Sequence, residues 1–259
     1  MVKGLYTAYT GMLNEQNRMD IMTNNLANAS TVGYKKEGST SQSFDDVLTV
    51  KIKDQSVGMR NAQKIGIKNP GVKIGENYTD YSQGSFRITG NTYDLALSGE
   101  GFFAIEFTNN AGETDTKYTR AGQFTLNKDG YLVTEEGDYV LDTQNRRIRL
   151  NTLIDSSITD DGTIYQNGQA MAKIQVTDFA DYDYLEKYGE TYYQPIQGAQ
   201  TIASNAQVKS GYLEMANVQI VSEMVNLISI TRAYESNQKV VQTIDDTLDV
   251  AVNQIGRVQ

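Results

Sequence analysis

From Tyr212 to Ile255 the chain contains neither glycine nor proline, and Leu213, Ile220, Leu227, Tyr234, Val241, Leu248 and Ile255 recur every seven residues. A strand alternates its side chains between faces every second residue and cannot gather such a set on one side. Seven residues make two helical turns, so the repeat lays an apolar stripe along one face of a helix. Met224, Ile230, Ile244, Ala251 and Val252 widen it. Asn217 offers an N-cap, which places the helix over about 218–256, a length of ~58 Å. A heptad stripe of that length requires a partner helix. Val218, Val221, Val225, Ile228 and Val240 lie off the stripe. A helix apolar over so much of its circumference needs more than one partner, and burial between subunits is the expectation.

The other end of the chain supplies a candidate partner. Leu5, Ala8, Met12, Met19, Met22, Leu26 and Ala29 follow alternating steps of three and four, interrupted at Glu15. The spacing predicts a helix over about 4–29, stopped by Gly33. Gly11 costs about 1 kcal/mol relative to alanine, so this segment is a poor helix by itself. Its second face carries Asn14, Gln16, Asn17, Asp20, Asn24, Asn25 and Asn28. Amides both donate and accept, so that face can pair with many kinds of neighbour.

Between the helices the apolar residues come in short runs bounded by turn signals. Asp129-Gly130 sits between Phe124-Thr125-Leu126 and Tyr131-Leu132-Val133, and Asp161-Gly162 between Ile158 and Ile164, each a hairpin signature. The chain is therefore expected to be α+β. Residues 1–36 and 212–259 form a coiled-coil-like inner domain of paired terminal helices, and 76–211 a central antiparallel β domain. Residues 37–75, rich in Ser, Lys, Gln and Gly with scattered Phe44, Val47, Leu48, Val50 and Ile52, form an extended, partly ordered connector.

The 259 residues include no histidine, cysteine or tryptophan. That removes imidazole bases, thiolate nucleophiles, disulfides and ordinary zinc or iron–sulfur sites. A net charge of −9 argues against a phosphate-backbone binder, so no nucleic-acid partner is expected. The charge is uneven, with +2 over 1–36 and −3 over 213–257. No apolar run approaches the ~20 residues of a transmembrane helix. The first residues lack an uninterrupted apolar h-region, so no cleavable signal peptide is expected.

Remaining chemistry is sparse. Asp45-Asp46, Asp160-Asp161, Asp245-Asp246 and Asp181/Asp183 could serve as paired carboxylates, although adjacent acids in loops are usually solvated. Asp178, Asp181 and Asp183 have hard-cation ligands but not the spacing of a calcium loop. Gly99-Glu100-Gly101-Phe102-Phe103 lacks the Gly-Lys-Ser/Thr ending of a phosphate loop and reads as a tight turn into a buried strand. Tyr182, Tyr184, Tyr188, Tyr192 and Tyr193 could stack on sugars or cover a β domain. A peptidoglycan- or sugar-binding surface protein with helical anchors, or an adhesin, is the competing reading. No catalytic residue, cofactor or metal is expected.

Four blocks of sequence carry a resemblance. Asn24-Asn25-Leu26-Ala27-Asn28 followed by Thr31-Val32-Gly33-Tyr34-Lys35 resembles the N-terminal signature of the bacterial flagellar rod, hook and hook-associated axial proteins, which more often have Phe where Tyr34 stands. Asp94–Phe103, with Gly99, Gly101 and Phe102, and Tyr118–Phe124, with Arg120, resemble the core of that family's β domain. Asn217-Val218, Glu223-Met224-Val225 and Arg232–Glu235 with Asn237 resemble its C-terminal helix motif. The length resembles that of rod rather than hook subunits. The resemblance implies a non-enzymatic subunit of the flagellar basal-body rod that joins copies of itself and other axial proteins. It further implies export through the flagellar type III apparatus, an extracytoplasmic location, terminal helices lining the central channel and a β domain forming the outer wall. Leu5, Met12, Met19, Leu26 and the 213–255 stripe would then carry the helical packing, beside Asn25, Asn28 and Gly33 of the signature.

Overall fold

The seven-residue repeat folds as a helix over most of its length. In the computed structural model, which describes residues 2–51, 63–109 and 112–255, helix α1 spans Val2–Ala27 and helix α2 spans Ile220–Val250, continuing into a π-helical turn, Ala251–Ile255. Residue 256, Ile52 and the side chain of Ile255 fall outside what is described. Between the helices lies a chain of antiparallel strands, so the protein is α+β.

Three expectations about helix ends need correction. Leu213 is not helical: it is buried in the strand Tyr212–Glu214, paired with Phe86–Ile88. Backbone pairing and burial there override a periodicity that continues upstream of the helix. Asn217 does not cap α2, whose N-cap is Gln219 without a side-chain bond; the Asn217 amide is engaged by other backbone. Gly33 does not end α1, which stops at Ala27. It lies in a later turn with φ +71°, where a Cβ would collide with the backbone of Arg120 and Ala121.

The chain divides into two compact units, one of Met1–Leu26, Glu37–Asp80 and Gln219–Gln259, the other of Ala27–Lys36 and Tyr81–Val218. The first holds both helices and two antiparallel ribbons, Glu37–Ser43 with Val72–Thr79 and Val47–Lys51 with Gln63–Lys68. Two amides on the polar face of α1 bond ribbon polar groups. Asn25 donates to Glu37 O at 2.8 Å and accepts from Glu37 N at 2.9 Å, and Asn14 accepts from the Ser41 hydroxyl at 3.0 Å. A buried amide that makes both bonds of one backbone residue imitates a neighbouring strand. Its glycines meet α2: the Gly4 Cβ position lies 3.6 Å from Ile244 Cδ1, and that of Gly11 lies 2.9 Å from Asn237 Nδ2.

The second unit is built on the strand Phe102–Thr108, buried on both faces over its first four residues. Its neighbours are Thr114–Thr119, Tyr139–Val140 and Val176–Phe179, all antiparallel. Because side chains alternate along a strand, Phe103 joins one core with Leu95, Leu97, Phe124, Leu132 and Ile164, while Phe102 and Ala104 join another with Tyr118, Phe179 and Tyr193. The two Asp-Gly hairpins form: Phe124–Leu126 pairs with Leu132–Thr134, and Ser156–Ile158 with Thr163–Gln166. Gly99 and Gly101 form the turn into Phe102, both with positive φ.

Candidate functional site

The most unusual chemistry in the molecule is a sealed charge cluster in the second unit. Glu214 lies on Tyr212–Glu214, a strand whose pairing with Phe86–Ile88 fixes its direction. Its Oε1 accepts from Lys35 Nζ at 2.7 Å and from Gly84 N at 2.9 Å, and its Oε2 accepts from Arg120 at 3.3 Å. Lys35 Nζ also donates to Ser82 O at 2.8 Å. All three charged side chains are at most 3% exposed. The Arg120 guanidinium sits 5.2 Å over the Phe102 ring.

Backbone bonds tighten the same place. Gly33 N donates to Glu214 O at 2.8 Å, Val32 bridges to Met215, and Met215 N donates to Ser85 O at 2.9 Å. Gly84 passes so close to the Met215 carbonyl that no side chain would fit there. Asn217 accepts from Lys36 N at 2.7 Å and donates to Ser82 O and Oγ at 3.2 and 3.0 Å. Tyr34 is fully buried, with Lys187 Nζ 4.3 Å over its ring. Segments 31–36, 82–86, 120–121 and 212–217, distant in sequence, thus close on one carboxylate.

Such an arrangement holds structure and does not turn over substrate. A carboxylate with both oxygens engaged by buried donors has no access to solvent or reactant, and a bridge broken on one side leaves an uncompensated charge, a loss of about 3–5 kcal/mol. A second polar cluster is equally tied down. The Tyr192 hydroxyl donates to Asp138 at 2.8 Å, and burial pushes the Asp138 carboxyl above its ordinary range. Lys117 Nζ lies 2.9 Å from the Tyr188 ring centroid, and burial lowers its pKa despite Asp115, Asp138 and Glu186.

The sequence-derived residues fall into three groups. Gly33 and Arg120 meet at the Glu214 cluster, while Tyr118, Phe102, Phe103 and Phe124 are core. Asp94 is buried, accepting from the Asn91 amide and giving its carbonyl to Gly211 N. Leu5, Met12, Met19, Leu26, Leu227, Tyr234 and Val241 are half-buried on the helices, while Ile220 and Leu248 are exposed; Asn28 donates to Glu190 at 2.8 Å. Glu214, Ser82 and Gly84 were not singled out. The signal for Glu214 was a lone acid within Tyr212–Ala216, an otherwise apolar run. Tyr192 and Tyr193 are buried and leave no platform for a sugar ring. Asp178 accepts from Phe179 N and the Tyr182 hydroxyl, and Asp181 from Asp183 N. Among the described residues no three acids are grouped to hold a metal, and no helix is long and apolar enough to cross a membrane.

Helices from both chain ends share one unit, and the other is a β unit locked by buried charge whose ionic groups are engaged in structural bonds. Comparisons with known proteins agree. The model for flagella basal body rod protein matches residues 5–35, that for the flagellar hook protein FlgE/F/G D1 domain matches 96–168, and that for the flagellar basal body rod FlgEFG protein C-terminal region matches 209–255. Flagellar basal-body rod protein FlgG of Bacillus subtilis is 34% identical over 272 residues, covering 98% of this chain and 99% of the relative. Flagellar basal-body rod protein FlgF of Caulobacter vibrioides is 31% identical with both chains fully covered, and the flagellar hook-basal body complex protein FlhO of Bacillus subtilis 30%, again over both whole chains. The chain belongs to the flagellar basal-body rod protein family. It is a structural subunit of the basal-body rod and not an enzyme.

Proposed function

We propose that α1 and α2 pair antiparallel as a coiled-coil-like inner element, and that neighbouring copies and other axial proteins bury the remaining apolar face of α2. Two observations support the pairing. Gly4 meets Ile244 and Gly11 meets Asn237, so a step of seven residues forward on one helix matches seven backward on the other. Glycine at both places lets the helix axes approach closely.

The observation that carries the assembly reading is the exposed stripe. Val221 is 77% exposed, with Val225 and Ile228 following at four and seven residues on the same helical face. Leaving that stripe in water is unfavourable by about 25 cal/mol per Å². Repeated heterologous contacts between copies cover it and, because they do not close, generate a helical tube. Packed apolar contacts have few alternative registers, which suits a shaft that transmits torque. In this reading the unit that holds both helices and the ribbons of Glu37–Asp80 lines the export channel. Subunits leave the cytoplasm through the flagellar type III apparatus and assemble outside it.

Electron microscopy of basal bodies from a strain lacking this gene tests the proposal. Truncated or missing rods without hooks are expected, the truncation point placing the subunit along the rod. Complete rods and hooks would contradict it.

A further inference from the structure

A seven-residue repeat fixes the phase of a helix pair but not its register. Along α2 the buried Glu223 and Ile230, and Asn237 and Ile244, which meet α1, fall on every seventh residue. Gly4 and Gly11, the α1 residues they meet, are also seven apart. A slip of one heptad, roughly 10.5 Å by the rise of an α-helix, sets Gly11 against Ile230 or Ile244, an isoleucine such as Gly4 already meets. Choosing one register therefore takes a reference outside the repeat. Segments 32–36 and 214–217 of the second unit supply one. Val32 bridges Met215, Gly33 N donates to Glu214 O at 2.8 Å, Lys35 Nζ to Glu214 Oε1 at 2.7 Å and Lys36 N to Asn217 Oδ1 at 2.7 Å. Helix α1 ends at Ala27, five residues before Val32, and α2 begins at Ile220, five residues after Met215. Gly11 lies 21 residues before Val32 and Asn237 lies 22 residues after Met215. For Gly4 and Ile244 the counts are 28 and 29. Counted along the chain, the bridge and the helix contacts belong to one antiparallel register, offset by a single residue.

We infer that this clamp sets the register of the helix pair: by holding 32–36 to 214–217 it fixes which residue of α1 meets which residue of α2. The inference rests on the reading that α1 and α2 pair. The connectors leave little freedom. On the α1 side Thr31 N donates to Asn28 O and the Thr31 hydroxyl to Asn28 Oδ1, both at 3.1 Å, closing a turn. On the α2 side only Val218 and Gln219 separate Asn217 from the helix, and Gln219 is already extended, with φ −94° and ψ 98°. Asn217 is itself held by Lys36 N and by Ser82. Three Cα steps reach at most ~11 Å, so an extended connector has no reserve for a slip of one heptad. Lys35, Glu214 and Asn217 are thus positioning residues for helices to which they do not belong. The role matters for assembly, because one register gives every subunit the same exposed length of α2. Identical contacts repeated from copy to copy require that uniformity.

The chain has no cysteine, so two introduced cysteines report register through the disulfide they form. Three full-length double variants are compared as dilute purified subunits. Gly4→Cys with Ile244→Cys is in register, while Gly4→Cys with Asn237→Cys and Gly11→Cys with Ile244→Cys are each one heptad out. After mild oxidation the intrachain disulfide is counted by mass spectrometry, and the in-register pair should close at least tenfold more than either other pair. Seven Gly/Ser residues inserted between Val218 and Gln219 lengthen the connector and keep every residue of the clamp and of both helices. The out-of-register pairs should then rise to within threefold of the in-register pair, and hooks per cell should fall at least tenfold. Asn217→Ala, which keeps the connector length but removes the Lys36 and Ser82 bonds, should raise the out-of-register pairs at least threefold. Ile164→Val, a core change away from the clamp, should lower the urea midpoint and leave the ratio as in the native chain. An insertion variant that keeps the tenfold preference would overturn the clamp's role while leaving the pairing intact. Absence of the in-register disulfide with the native connector would overturn the pairing itself, and the inference with it.

Discussion

Glu214 shows how a single side chain can hold a β unit closed. Lys35 and Arg120 both reach it from far upstream in the sequence, and its two oxygens carry three donors in a site without water access. Glu214→Gln keeps the shape but leaves two buried cations without a counter-charge. A loss of about 3–5 kcal/mol is expected, read as a fall in the urea midpoint of the purified subunit, while Glu186→Gln, at an exposed position of the strand Leu185–Tyr188, should shift it little. Asp138 gives a pH signature of known sign. Burial raises its folded pKa above the ordinary value, so the folded chain keeps that proton to a higher pH than the unfolded chain. Stability is therefore lost as pH rises through the window above the ordinary carboxylate pKa. Asp138→Asn should remove that loss, leaving the variant more stable than the native chain at pH 7 and indistinguishable from it at pH 3. Only half of this chemistry was legible in sequence. Lys35, Arg120 and Gly33 stood in recognisable motifs, but nothing local to Glu214 indicates that two cations some 94 and 179 residues away share it.

At the scale of elements, the helices were legible because a period of seven is incompatible with any other regular structure. Their ends were not. Leu213 continues the period yet belongs to a strand, and Asn217 has the residue type of a cap yet bonds Lys36 and Ser82. In both cases a long-range pairing outbids a local preference of about 1 kcal/mol. The short ribbons Glu37–Ser43 and Val72–Thr79 were equally opaque, since they are polar strands held to α1 by side-chain amides and not by an apolar face. Helix α2 offers a clean separation of folding from assembly. Val225→Asp changes a side chain that is 57% exposed, so the subunit's melting temperature should move little, surface changes costing within ~0.5 kcal/mol. Rod incorporation should nevertheless be lost, because the charge lands in the exposed stripe that we propose neighbouring copies cover. Leu227→Asp, at a half-buried position, should lower both. Val225→Asp cells with normal hooks and swimming would contradict the role assigned to the stripe.

For the whole molecule, the division of labour follows from where apolar surface is buried. The second unit encloses two cores and the sealed Glu214 cluster, whereas only Glu223 and Ile230 are buried along the 31 residues of α2. Regions with few buried contacts open at low free energy, and those with many open only on global unfolding. The free subunit should accordingly behave as a stable β unit with weakly held helical ends, which order fully when neighbouring copies supply the missing contacts. Burial gained on assembly then offsets the entropy lost in ordering. Gly11 inside α1 works in the same direction, lowering the helix's intrinsic stability while allowing close approach to Asn237. Amide exchange reads this directly. In the free subunit, the slowest amides should lie in Leu95–Ser98, Phe102–Thr108 and Tyr212–Glu214. Those of α2 should exchange about 100-fold faster, a gap of ~2.7 kcal/mol. In purified rods the difference should vanish, because α2 is then covered along its length. Slow exchange throughout both helices of the free subunit would mean that the pair is stable alone, and that assembly adds contacts to helices already formed.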